Sequence, residues 1–498
     1  MEAYAELERR FARLMTLRSI EDVLQWDTSA MMPSGAAEGR AHQLAFLRVM
    51  AHDMLCEPDF DELLGRAEAD KSALDEWQFA NLREMRRMWI HAAAVPAELV
   101  EAASRAASAC EARWRTARPE SDFEGIAPLL AEVVKRAREV AAARAERLGT
   151  TAYDALLDEH LPWMRAADID PLFDDLGGRL PSLRERALEA QAKRPGPLPL
   201  EGPFPIDAQR KLGIQLMRQV GFDFDRGRLD VSLHPFCGGT PDDIRITTRY
   251  DENDFATSLM GVLHETGHAL YEAGLPQRWR HQPVGRARGM AMHESQSLLL
   301  EMQACRSRPF LEHIAPLVRK AFDKQGDAWK AENLYRHYAR VSPGFIRVSA
   351  DEICYPSHVI LRYRLERALI GGALEVADLP GAWSEGMREL LGLEPPDHRR
   401  GCLQDVHWFD GVFGYFPAYT LGAVIAAQLY RSAVASHPEI PEAVAAGDFT
   451  HLLTFLRSHI HSRGAMLDPN ELVMRATGDP IALDSYLAHL EERYVSGS

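Results

Sequence analysis

The chain has 498 residues, of which 46% are hydrophobic and 26% charged, and its formal net charge is −16. That length and composition allow a large buried core without disulfide or metal staples. The acidic balance argues against a nucleic-acid binder, which needs a basic face for phosphates, and against docking on anionic membranes.

The opening Met1-Glu-Ala-Tyr-Ala-Glu-Leu-Glu-Arg-Arg reads as a charged helix start rather than a signal peptide. No apolar run approaches the ~20 residues of a membrane span. Residues 60–92 and 97–148 are rich in Ala, Leu, Glu and Arg, with apolar positions three and four apart, which predicts helix. A further helix starts near Asp170-Pro171 and runs to about Lys193, proline being suited to a first turn. Cys56, Cys110, Cys237, Cys305, Cys354 and Cys402 form no C-x-x-C pair and fit the reduced thiols of a cytoplasmic protein.

The run Arg194-Pro-Gly-Pro-Leu-Pro-Leu-Glu-Gly-Pro-Phe-Pro cannot be helix interior. It divides a helical N-terminal part, 1–193, from a second part, 207–498, through a connection at 194–206; the two parts make one functional unit. After a helix at about 207–220, Leu229-Asp-Val-Ser-Leu-His and Asp243-Ile-Arg-Ile-Thr-Thr-Arg-Tyr alternate and carry β-branched residues. They read as two short strands joined by a loop containing Gly238-Gly239. Helices resume at 254 and dominate to the end.

His264-Glu265-Thr266-Gly267-His268 is an H-E-x-x-H motif. Residues four apart on a helix share a face, so both imidazoles can reach one metal. Glu265 lies beside that metal and can take a proton from its bound water, then return it to a leaving amine. Asp254 caps the helix, Phe255, Leu259, Val262, Leu263 and Leu270 give it an apolar face, and Gly274-Leu-Pro stops it. Two buried histidines without a partner would be costly, which favours the metal over a merely structural pair. The third ligand falls in His293-Glu294-Ser295-Gln296, where spacing alone does not separate His293 from Glu294.

Six motifs in order between residues 234 and 422 resemble those of the Taq-type thermostable metallocarboxypeptidases. They are His234-Pro-Phe, Asp243-x-Arg245-x-Thr247, His264 to His268, His293-Glu294-Ser295-Gln296, Ile346-Arg347-x-x-Ala350-Asp351 and Gly414-Tyr415-Phe416-Pro417-x-Tyr419-x-Leu421-Gly422. Trp26-Asp27 and Met32-Pro33 look like the family's opening segment, so the resemblance covers nearly the whole chain. It implies a mainly α, gluzincin-like helical fold with a deep groove and a small antiparallel β-sheet beside the metal helix, often in a homodimer. It also implies zinc or cobalt on His264, His268 and Glu294, which decides between Glu294 and His293. The implied activity is removal of C-terminal residues from peptides with broad specificity.

Tyr415, Tyr419 and His234, carried over from their motifs, are candidates to donate to the oxyanion of the tetrahedral intermediate. Core packing beside Phe413, Phe416 and Leu421 is the alternative for the tyrosines. Arg347 is the first candidate for the substrate's terminal carboxylate, with Asp351 to orient it; a surface pair of the two, four residues apart, is the plain alternative. Arg245 is the second, unless it pairs with Asp243. The strand Asp243–Tyr250 offers an edge to which a substrate backbone could add. His407 is either a cleft residue or structural, and His459 and His461 read as surface or interhelical. A metallo-oligopeptidase or dipeptidase with the same metal site is the nearest alternative, and a non-catalytic peptide-binding helical protein with a structural metal is the alternative of another class.

Overall fold

A computed structural model describes residues 1–497. Helices dominate. The predicted stretch 60–92 is two helices, Phe60–Ala69 and Glu76–Ala93, because Asp75 ends the turn between them and caps the second by accepting from the Gln78 amide. The stretch 97–148 is likewise two, Ala97–Glu120 and Phe123–Leu148, separated where Ser121 adopts a left-handed backbone at φ 58°. The next long helix begins before Asp170-Pro171, at Ala166, and ends at Ala192.

The connection 194–206 is partly packed: Phe204 is buried, its ring 4.9 Å from Phe255 and 5.2 Å from Phe322. One large apolar core takes in residues from both sides of it, from Ala80 and Phe123 to Leu421 and Tyr494. A second, smaller core lies among the N-terminal helices, around Tyr4, Phe11, Phe60 and Trp89.

The sheet has three strands, β1 (Gly227–Val231), β2 (Phe236–Thr240) and β3 (Asp243–Thr248). Their order is β1-β3-β2; β3 runs parallel to β1 and antiparallel to β2. The sheet is therefore mixed rather than antiparallel, and Gly238-Gly239 lies inside β2, not in a loop. Central β3 has no free edge, so a substrate backbone cannot add to Asp243–Thr248; the edges belong to β1 and β2. The buried face of the sheet, Leu229, Ile244 and Ile246, packs with Met217, Val262 and Ala269. Val262 and Ala269 belong to the helix α1 (Phe255–Gly274), which carries the H-E-x-x-H motif.

Two more helices frame that motif. Helix α2 (Met290–Leu298) continues directly into a π-helical segment, Leu299–Cys305, and helix α3 spans Pro417–Ser436. Among the described residues, no helix is long and apolar enough to cross a membrane.

Candidate active site

Helix α1 starts where the sequence predicts, with the Asp254 side chain accepting from the Thr257 amide at 3.1 Å. Its apolar residues fix which way it faces, and His264 and His268 project together, their ring centroids 5.0 Å apart. Helix α2 crosses α1 so closely that a Cβ on Gly267 would stand 2.5 Å from the Gln296 carbonyl oxygen. On the other side of α2, a Cβ on Gly422 of α3 would stand 2.7 Å from Glu294 Cβ. Glu294 is thus clamped between two helices that approach over glycine.

The clamp aims Glu294 Oε2 at both histidines, 3.5 Å from His268 Nε2 and 3.9 Å from His264 Nε2. One donor atom from each residue lies within 4.8 Å of the others. His293, the rival ligand, turns away: its Nδ1 lies 2.6 Å from His268 Nδ1, and its Nε2 lies 2.8 Å from Glu272 Oε1. Glu272 can only accept, so His293 donates to it and in turn accepts from His268 Nδ1. At the other imidazole, His264 Nδ1 donates to Glu301 Oε2 at 2.9 Å, and Glu301 also pairs with Arg306. In its neutral form each imidazole then carries its proton on Nδ1 and turns the Nε2 lone pair towards Glu294, the arrangement a metal ligand requires.

Charge makes the same point. Burial alone would strip the proton from His264, yet Glu294 and Glu301 raise its pKa to about 10. The carboxylates therefore demand a cation, which a divalent metal supplies without that proton. His268, buried and beside His293, is lowered to about 4 and stays neutral. Two neutral-capable imidazoles and a carboxylate form a donor set suited to zinc-like metals, with a position left open. Burial raises Glu265 to about 7 against the pull of His264, helped by the charge of Glu294.

A second polar centre lies around Arg347, which is 4% exposed. Its Nη2 donates to Asp405 Oδ1 at 2.7 Å and its Nη1 to the Tyr355 hydroxyl at 2.5 Å. The guanidinium carbon lies 4.9 Å from the Tyr419 ring centroid. Arg362, fully buried, pairs with the same carboxylate at 2.5 Å. Burial opposes the charge on Asp405, but Arg362 and Arg347 hold its carboxyl well below the usual range. Two guanidinium groups share one carboxylate, so the buried cluster carries surplus positive charge. Tyr355, Tyr415 and Tyr419 feel both Arg347 and Glu294, which links this centre to the His264–His268–Glu294 cluster. Burial pushes Tyr355 up to about 12 and the other two higher, so all three hydroxyls keep their protons.

Asp351 does not orient Arg347. Its carboxylate accepts from the amides of Ile353, Cys354 and Ser342, at 3.1, 3.0 and 2.9 Å, and so fixes the turn before helix Tyr355–Gly371. The segment Arg347–Ser349 is a short 3-10 turn, so the four-residue spacing on an α-helix does not hold there. Arg245 pairs with Asp243 at 2.6 Å and stacks on the Trp26 ring at 4.2 Å. His234 sits on the turn between β1 and β2 with its side chain exposed. His407 is half-buried, its Nε2 3.3 Å from the Tyr419 hydroxyl. His459 is half-exposed, whereas His461 is buried and meets Gln296 Oε1 at 3.0 Å.

Sequence reasoning missed Asp405, Arg362 and Tyr355 around Arg347, and Glu272 and Glu301 behind the histidines. It also missed Arg288, buried just before α2 and held by Glu84 at 2.9 Å. Burial works against the Glu84 charge, but Arg288 and Arg87 lower it to about 2. That pair ties helix Glu76–Ala93 of the N-terminal part to the start of α2.

The chain matches the model of the carboxypeptidase Taq (M32) metallopeptidase family over residues 6–494. It is 39% identical to thermostable carboxypeptidase 1 of Thermus thermophilus over 99% of this chain and 97% of that relative. Among solved structures, Trypanosoma cruzi metallocarboxypeptidase 1 aligns with a TM-score of 0.97 at 41% identity, covering 99% of each chain. A carboxypeptidase of the same family from Deinococcus radiodurans aligns with a TM-score of 0.94 at 34% identity, covering 100% of this chain and 99% of that one.

Proposed function

This chain belongs to the carboxypeptidase Taq (M32) metallopeptidase family, and on that premise we propose that it trims peptides from the C-terminus with broad specificity, Glu265 moving the proton and Arg347 reading the free carboxylate. The observation that carries this reading is the surplus positive charge of Arg347 and Arg362 over Asp405, buried within electrostatic reach of tyrosines that also feel Glu294. A terminal carboxylate neutralises that surplus, whereas an internal peptide bond does not.

Zinc or cobalt on His264, His268 and Glu294 would polarise the scissile carbonyl and acidify water. Glu265 needs a pKa near the working pH to accept a proton and give it back, and burial brings it to about 7. It takes the proton of the attacking water and delivers it to the departing amine. Tyr415 and Tyr419 retain their hydroxyl protons and serve as donors to the oxyanion. His234, exposed beside β2, is a further donor within the chain's own repertoire. The free edge of β2 offers main-chain groups to a peptide, and recognition of that kind disregards side-chain identity. The free cysteines support a reducing, cytoplasmic setting.

The test is digestion of paired peptides, identical except for a free or amidated C-terminus, followed by mass spectrometry. Stepwise shortening of the free acid alone, abolished by chelator and restored by zinc or cobalt, is the expected result. Internal cuts in both peptides would overturn the exopeptidase reading.

A further inference from the structure

Far from the catalytic centre, three further donors converge. His437 follows the C-terminal end of α3, Glu439 precedes the short helix Ile440–Ala445, and His451 lies in the first turn of helix Thr450–His459. Glu439 Oε1 stands 3.5 Å from His437 Nδ1 and 3.2 Å from His451 Nδ1. One donor atom from each residue lies within 4.8 Å of the others.

Those separations are informative. Two ligands at 2.0–2.1 Å from a tetrahedral zinc stand about 3.3–3.4 Å apart. In the catalytic triad, the two distances from Glu294 to the imidazoles are 3.5 and 3.9 Å. The outer triad is at least as closely drawn and has the same donor types. The backbone holds it in place: the Ile440 amide donates to the His437 carbonyl at 3.0 Å, and Asp448 accepts from the Thr450 amide at 2.8 Å. Asp448 also adds its negative charge near His451. The three side chains are 36%, 47% and 46% exposed, so a cation reaches them without opening the fold.

We propose that His437, Glu439 and His451 form a second divalent-metal site, suited to zinc, which ties the end of α3 to helix Thr450–His459. The other end of α3 carries Tyr419 and Gly422 of the catalytic region. At 1.5 Å per residue, His437 lies roughly 22 Å along the helix from Gly422, so the outer metal braces the helix without entering the reaction.

Equilibrium dialysis of the whole chain against rising free Zn2+, with metal counted by mass spectrometry, tests this directly. Loading should rise from about one to about two per chain in the wild type and stop at about one in His451→Ala and Glu439→Gln, with peptidase activity retained in both. His264→Ala should still take up about one, and zinc should raise its Tm; both effects should vanish in His264→Ala/His451→Ala. Saturation of the wild type at one equivalent would overturn the proposal, leaving the triad as imidazoles sharing an acid. A second equivalent that persists in His451→Ala would overturn it too, because the ion would then sit elsewhere.

Discussion

Arg347 donates to Asp405 through both Nε and Nη2, the latter at 2.7 Å, while Arg362 grips the other oxygen of the same carboxylate. Replacing Arg347 by Met leaves Asp405 with a partner, so the cluster keeps a paired charge. Loss of a charge-assisted contact to the substrate, worth about 1.5–3 kcal/mol, should lower kcat/KM on free-acid peptides by roughly 10- to 150-fold. Residual activity on amidated peptides should not change. Equal losses on both substrates would assign Arg347 a structural part only. Asp351→Asn is the contrasting variant: one of the two oxygens that accept from the Ile353, Cys354 and Ser342 amides becomes an NH2 group, costing about 0.5–1.5 kcal/mol of stability, with KM for free acids unaltered.

Glu265→Gln should lower kcat by about 10²- to 10⁴-fold while metal content, measured directly, stays at the wild-type level. The pH profile carries the sign. With Glu265 as the base, activity should fall as pH drops through its pKa, which burial lifts to about 7. A cation beside Glu265 favours the charged form, so the acid limb of the holoenzyme should lie below about 7. An acid limb that survives in Glu265→Gln would point to a different base.

The proposed roles of His264 and His268 as metal ligands depend on what stands behind them. Glu301→Gln keeps an acceptor for His264 Nδ1 but removes the charge, and Glu272→Gln does the same for the His293–His268 relay. Each should weaken metal affinity by about 10- to 100-fold in a chelator competition, with activity restored at high metal concentration. Unchanged affinity in both would mean that helix packing alone positions the ligands.

What was legible in the sequence follows from the range of the interactions involved. The H-E-x-x-H helix could be read because its signals are local: Asp254 caps it, an apolar stripe orients it, and Gly274 ends it. The choice between His293 and Glu294 could not be made on spacing, because adjacent residues differ only in the direction they project from α2. That direction is set by the neighbouring helices α1 and α3, a tertiary fact. Glu301 was hidden for a related reason: it lies in the π-helical turn Leu299–Cys305, where α-helical periodicity misassigns the face. Alternation found strands β1 and β3, but pairing is non-local, and β2 was disguised by glycines that usually mark a turn. Asp405 lies 58 residues from Arg347, with no motif to announce it.

The two clamping glycines, Gly267 on α1 and Gly422 on α3, contrast with a third on α1. A methyl at Gly267 would meet the Gln296 carbonyl oxygen at 2.5 Å, and one at Gly422 would meet Glu294 Cβ at 2.7 Å. Backbone or a ligand-bearing side chain must shift in each case, which should cost about 1–3 kcal/mol of stability. Gly422→Ala pushes on Glu294 itself, so its metal affinity should fall further than its Tm would suggest. Gly261, on the same helix as Gly267, has nothing within 4 Å of the added carbon. Gly261→Ala should therefore stabilise the chain by about 0.4–1 kcal/mol, with metal affinity unchanged, as a helical glycine replaced by alanine does where space allows. Thermal denaturation with and without metal separates the three variants. If Gly422→Ala bound metal as tightly as the wild type, Glu294 would not be held by the approach of α3.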